Sequence, residues 1–164
     1  MDTSLLKKNI NNIILSKSNS DINFFVTKKS FLDKNFSSLK DVYIEIKRIS
    51  EKEFGLQYNR IDSPIQNKHE NHLISLDNGI LLINSLFKKL KKNCLIFFRL
   101  EKPILVNNKK STDIIFTLLT PNSIETSNKL QILAKLTRIL KNPNIRKEIK
   151  GVKKPEDVLA LLLL

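Results

Sequence analysis

Three short apolar runs separated by polar breaks constrain this chain more than anything else in it: Ile80-Leu81-Leu82-Ile83, Cys94-Leu95-Ile96-Phe97-Phe98 and Ile114-Ile115-Phe116-Thr117-Leu118-Leu119. Each is too short for a helix to be the first choice. Each is rich in β-branched and aromatic side chains and bounded by Asn, Gly, Lys or Pro, the pattern of strands covered on both faces. The Pro-containing stretch Glu101-Lys102-Pro103-Ile104 and the cluster Asn107-Asn108-Lys109-Lys110 are expected to break the segment into separate strands. These runs predict the centre of a sheet that needs helices above and below it.

Helical patterns lie on both sides of that centre. Downstream, Leu130, Leu133, Leu136 and Leu140 form one stripe, with Ile132 and Ile139 beside it, while Gln131, Lys135, Arg138 and Lys141 fall elsewhere, predicting a helix packed on the sheet. Asn142-Pro143 ends it. A short helix is expected from Asn144 to Ile149, closed by Gly151, and Pro155 opens a last one with Glu156 and Asp157 at the positive end of its dipole. Upstream, Ile22-Asn23-Phe24-Phe25-Val26 reads as a short strand, and Phe31, Leu32, Phe36, Leu39 and Val42 recur at helical spacing after it. A second helix is expected from Ser50, capped with Glu53 three residues on, through Phe54 towards Tyr58 and Arg60. Leu5 to Leu15 reads as a weak helix or loop. The expected architecture is a layered α/β/α domain with a mixed central sheet.

At 164 residues the chain is expected to fold as a single domain over 1–164, with an irregular insertion around 61–77. One cysteine excludes an internal disulfide framework and a paired-cysteine metal or redox site. No apolar run reaches the roughly twenty residues of a membrane span, the terminal Leu161-Leu162-Leu163-Leu164 included. With no Ala-x-Ala cleavage pattern, a cytoplasmic location is expected. His69 and His72, with Glu70 between them, lack a third ligand nearby, so no metal site is expected.

The formal charge of +13, from 29 basic against 16 acidic residues, raises nucleic acid or another polyanion as a partner. Its densest patch is Lys88-Lys89-x-Lys91-Lys92, beside Phe87. The Lys excess comes with abundant Asn and Ile, a combination that AT-rich coding favours. The patch also lacks a stacking array or a helix-turn-helix signature, so a solvated connection between strands is the expected reading.

From Asn78 onward, over about 90 residues, the chain resembles the IIA domains of the bacterial phosphotransferase system, of the fructose/mannitol and nitrogen-regulatory type. The resemblance is carried by Asn78-Gly79-Ile80, by Leu100-Glu101-Lys102-Pro103-Ile104, by Asp113-Ile114-Ile115-Phe116-Thr117-Leu118-Leu119-Thr120-Pro121 and by Leu130-Gln131-Ile132-Leu133-Ala134-Lys135-Leu136. Upstream it rests on Phe54 and Arg60. It implies a mixed sheet covered by helices, no cofactor, and a histidine that accepts phosphate from a carrier protein.

This chain departs from that pattern where the chemistry should be. The family's Pro-His pair after the Asn-Gly-Ile strand is matched by Ile83 and Asn84, followed by Ser85. The Asn nitrogen is conjugated into its carbonyl and is neither basic nor nucleophilic, so it cannot attack phosphorus. A second family histidine is matched, within one residue, by Lys129, and of the family's glycines only Gly79 remains, after a longer loop. The resemblance therefore implies a degenerate phospho-acceptor site at Asn84, Ser85, Lys129 and Arg60, with no catalytic residue. Its implied function is to bind a protein of the phosphotransferase system or a transporter-regulatory protein. Two alternatives stand beside it: an active phosphocarrier in which His72 replaces the nucleophile with Lys129 neutralising phosphate, and anion or nucleic-acid binding through Lys88, Lys89, Lys91 and Lys92.

Overall fold

Among the described residues, five strands form one sheet in the order β1-β4-β5-β3-β2. In this computed structural model, residues 27–55, 71–87, 93–107, 109–121 and 126–162 are described. The strands are β1 (Thr27–Lys34), β2 (Asn71–Ser75), β3 (Ile80–Phe87), β4 (Cys94–Val106) and β5 (Lys110–Pro121). The helices are α1 (Leu39–Phe54), α2 (Thr126–Leu140), α3 (Pro143–Gly151) and α4 (Pro155–Leu161). β1 runs parallel to β4 and β3 parallel to β5, whereas β4–β5 and β2–β3 are antiparallel, so the sheet is mixed as expected.

The three apolar runs are the three inner strands, and strand parity divides their side chains between two cores. Leu81, Ile83, Ile96, Phe98, Ile115 and Leu119 face Val42, Ile46 and Ile49 of α1. Ile80, Leu82, Leu95, Phe97, Ile114, Phe116 and Leu118 face the other way, onto Leu133, Leu136 and Leu140 of α2, Ile149 of α3 and Val158 of α4. Apolar residues at consecutive positions are thus explained by cover on both faces. The helices over 126–161 follow the expected pattern, including the break at Asn142, whose side chain caps α3 by accepting from the Asn144 N–H at 3.0 Å.

The amino-terminal half departs from expectation. Phe31 and Leu32 lie in β1, not in a helix, and α1 starts only at Leu39. Ser50 does not cap a new helix. It is buried inside α1, where its hydroxyl donates to the Ile46 carbonyl at 2.6 Å. Gly55, at φ +64°, ends α1 in the left-handed conformation that costs glycine little. Asn71–Ser75, read from sequence as part of an irregular loop, is strand β2 on β3. Pro103 does not separate two strands either: β4 continues through it, with a register shift between Arg99 and Ile104 that takes in the proline, a residue with no N–H to give to the ladder. The turn at Asn107 does form, with Asn107 itself at φ +53°. The expectations for Leu5–Leu15 and Ile22–Val26 lie outside the described residues.

Two polar clusters lock the helices to the sheet. Arg99, just before the irregular part of β4, donates through one guanidinium nitrogen to the carbonyls of Ile149 (3.2 Å), Lys150 (3.3 Å) and Val152 (2.5 Å). Its other terminal nitrogen donates to Asp33 at 3.1 Å, so one side chain satisfies the end of α3 and ties it to β1 and β4. The second cluster centres on Asp113 at the start of β5, which accepts from Arg146 at 3.0 and 3.3 Å and from Lys150. Gly79, at φ +79°, sits against it, and a Cβ there would lie 3.3 Å from both Arg146 Nη1 and Asp113 Oδ1. Burial pushes the Asp113 carboxyl upward, but the hydrogen bonds and charges of Arg146 and Lys150 outweigh it and hold the group below its ordinary value. A carboxylate depressed in the folded state adds stability above its unfolded pKa and loses it as pH falls through the folded one. Unfolding midpoints measured from neutral pH to below about pH 4 are therefore expected to fall more for the native protein than for Asp113→Asn. Equal slopes would show that the pair contributes nothing.

Candidate phospho-acceptor site

The site expected around Asn84 lies at the carboxyl ends of two adjacent parallel strands. Asn84 is the fifth residue of β3 and pairs in register with Leu118 of β5. Following Ile80 and Leu82 in alternation, it falls on the face covered by α2, α3 and α4, and Thr120 follows Phe116 and Leu118 onto the same face. In open α/β sheets, ligand crevices lie at this end of the strands.

Asn84 is 0% exposed. Its Oδ1 accepts from the Thr120 hydroxyl at 3.5 Å, and the Ser85 carbonyl accepts from the same hydroxyl at 3.5 Å, so one proton is divided between two acceptors at the outer limit of a hydrogen bond. The Asn84 Nδ2 has no hydrogen-bond partner among the described residues. An amide donor withdrawn from water in this way carries a desolvation cost of about 1–3 kcal/mol. Nothing among the described residues makes the amide nucleophilic.

The other expected site residues are placed unevenly. Ser85 is buried next to Asn84 but falls on the opposite, α1 face by strand alternation. Lys129 falls in the first turn of α2, the helix that follows β5 after residues 122–125. Arg60 and His69 lie outside the described residues, as do Lys88, Lys89, Lys91 and Lys92. His72 belongs to β2, and the antiparallel register pairs it directly with Asn84. A loop reading of 71–75 hides that pairing. Among the described residues no group of three or more His, Cys, Asp or Glu could hold a metal ion. No helix among the described residues is long and apolar enough to cross a membrane.

Comparisons with known proteins agree with this fold. The chain matches the family model "Phosphoenolpyruvate-dependent sugar phosphotransferase system, EIIA 2" over residues 28–163. No curated protein matches it. Among solved structures, nitrogen regulatory protein IIA-Ntr from Neisseria meningitidis is similar, with TM-score 0.67 and 23% identity over 83% of this chain and 92% of that one. A protein assigned to the PTS IIA domains, from Streptococcus pyogenes M1 GAS, has TM-score 0.63 at 11% identity, covering 89% of this chain and 93% of that one. Another, from Streptococcus mutans, has TM-score 0.58 at 14% identity, covering 88% and 91%. At such identities the solved structures establish the shared fold, and the family match extends well upstream of Asn78 to take in β1 and α1. The mixed sheet, its helical cover and the sequence from Lys28 to Leu163 lead to one conclusion: the chain belongs to the EIIA type 2 family of the phosphoenolpyruvate-dependent sugar phosphotransferase system.

Proposed function

We propose that this protein is a non-phosphorylatable member of its family that acts by binding another protein rather than by carrying phosphate. The observation that carries the reading is Asn84: the position matched to the acceptor histidine holds a buried carboxamide whose nitrogen lone pair is conjugated into the carbonyl and does not attack phosphorus. Asn84, Ser85, Lys129 and Arg60 are the remains of the acceptor site, in a chain that works as one IIA-type unit. A protein fixed in this way is equivalent to a permanently unphosphorylated partner. It would engage a cytoplasmic phosphotransferase-system or transporter-regulatory protein without responding to phosphate flux. The test is incubation of the full chain with a phosphorylated carrier protein, followed by assay for acid-labile phosphate. None is expected, and label on His69 or His72 sinks the reading.

One observation favours a second reading. Because His72 is paired in register with Asn84, a histidine occupies the strand position next to the one matched to the acceptor, and a relocated phosphocarrier reaction would pass through it. In that case His72→Ala removes all label that the native chain acquires.

A further inference from the structure

We propose that α3 and the turns on either side of it form a docking surface for an acidic segment of a partner protein, separate from the Asn84 end of the sheet. The proposal rests on the protein-binding reading above and names the chemistry of the partner. The excess charge of this chain is not spread evenly over its helices. α1, on one face of the sheet, carries four basic and four acidic residues. Residues 138–154, on the other face, carry seven basic residues and one acidic one, Glu148. A coding bias towards lysine acts on both layers alike and does not produce this asymmetry.

The ion pairs repeat the contrast. Charges of α1 pair with one another and with β1, as in Arg48–Glu45 at 2.6 Å, Lys34–Glu45 at 3.3 Å and Lys29–Glu53 at 3.1 Å. On the α3 side, Asp113 takes Arg146 and Lys150. Lys141, Lys147, Lys153 and Lys154 are exposed and have no ion pair among the described residues. Lys150, which is paired, sits in the last turn of α3 where a cation complements the helix dipole. Lys153 and Lys154 precede α4, whose first turn carries Glu156 and Asp157, yet neither lysine pairs with them, and Lys154 makes no side-chain cap hydrogen bond. Four exposed lysines are thus left without a carboxylate partner among the described residues, which a segment of another protein can supply.

Location and composition define the partner. The surface lies over the amino-terminal ends of β3 and β5, where Arg146 meets Asp113 and Gly79, while Asn84 lies towards their carboxyl ends. Residues 138–154 contain no aromatic side chain, which removes the stacking platform that single-stranded nucleic acid uses. Flexible ammonium groups without that platform suit carboxylates on a protein segment.

The probe is a fluorescent peptide of glutamates, titrated with the full chain in an anisotropy assay at low and moderate salt. Binding is expected to weaken at least ~10-fold as the salt screens it, and Lys147→Glu with Lys153→Glu is expected to weaken low-salt binding by a further ~10-fold. The matched reversal Lys40→Glu with Lys52→Glu on α1 is expected to leave it unchanged. Circular dichroism checks that both variants fold, and single reversals at Lys147 and Lys153 serve if the double variant does not. No binding at low salt, equal loss in the α1 variant, or tighter binding of a DNA oligomer than of the peptide each overturns the proposal. The outcome separates from the phosphorylation assay: acid-labile label on a histidine removes the non-phosphorylatable reading and leaves the peptide result standing.

Discussion

Phe116→Ala is expected to destabilise the fold by ~3–5 kcal/mol, the cost of removing a large buried side chain and leaving a cavity. Phe116 sits in β5, between β3 and β4, opposite Leu82 on one side and Phe97 on the other. It is fully buried, and its ring lies 4.8 Å from that of Phe97 at an interplanar angle of 48°, an arrangement that adds attraction beyond area burial. The neighbours cannot close the gap, because the two flanking strands hold their spacing through backbone hydrogen bonds. Domains of this kind are stable by only about 5–15 kcal/mol, so the change takes a large share of the total. The measurement is the shift of the urea midpoint at constant m-value, with Leu105→Ala, at a position 60% exposed, as a comparison expected to move by less than about 0.5 kcal/mol. A Phe116→Ala loss no larger than that of the comparison would show that the core is not built around this ring.

Asn84→Leu is expected to do the opposite and raise stability by ~1–2 kcal/mol. The substitution removes an amide donor that has no partner among the described residues and puts a side chain of similar size into an apolar layer with Leu82 and Leu118 on the same face. Thr120 keeps the Ser85 carbonyl as acceptor, so its hydroxyl is not orphaned. Thermal unfolding at neutral pH reads the change, at about 2–4 °C per kcal/mol for a chain of this length. A fall of similar size would mean that the amide is fully satisfied in the native protein. The prediction bears on function as well as on folding: a polar residue held in a core position at a cost in stability is the kind of feature expected where a site once carried, or still carries, a task.

Asp113 shows how the same sheet handles a charge successfully. Two cations meet its carboxylate at the edge of the core, so its burial is compensated and its proton affinity lowered. At Asn84 the amide group has, among the described residues, one divided hydrogen bond. The difference between the two ends of β5 is the difference between a polar group that serves the fold and one that the fold merely tolerates.

From sequence alone, the inner sheet was legible because its determinants are local. A run such as Ile114–Leu119 must be covered on both faces whatever its neighbours are, and the leucine stripe of α2 carries its period in its own residues. The Asn-Gly-Ile block before Asn84 was legible as a turn into β3 for the same reason, since it is contiguous. What only the tertiary structure decided is pairing and cover. β1 and β2, the outermost strands of the described sheet, have mixed sequences because a strand there needs few apolar residues, and Leu73 of β2 is 38% exposed. Their strand character comes from backbone hydrogen bonds to β4 and β3, which no side-chain pattern records. The pairing of His72 with Asn84, the capping of α3 by Arg99 from a different strand, and the passage of β4 through Pro103 follow from that three-dimensional context. Each depends on where distant segments meet, and periodicity along a chain does not encode it.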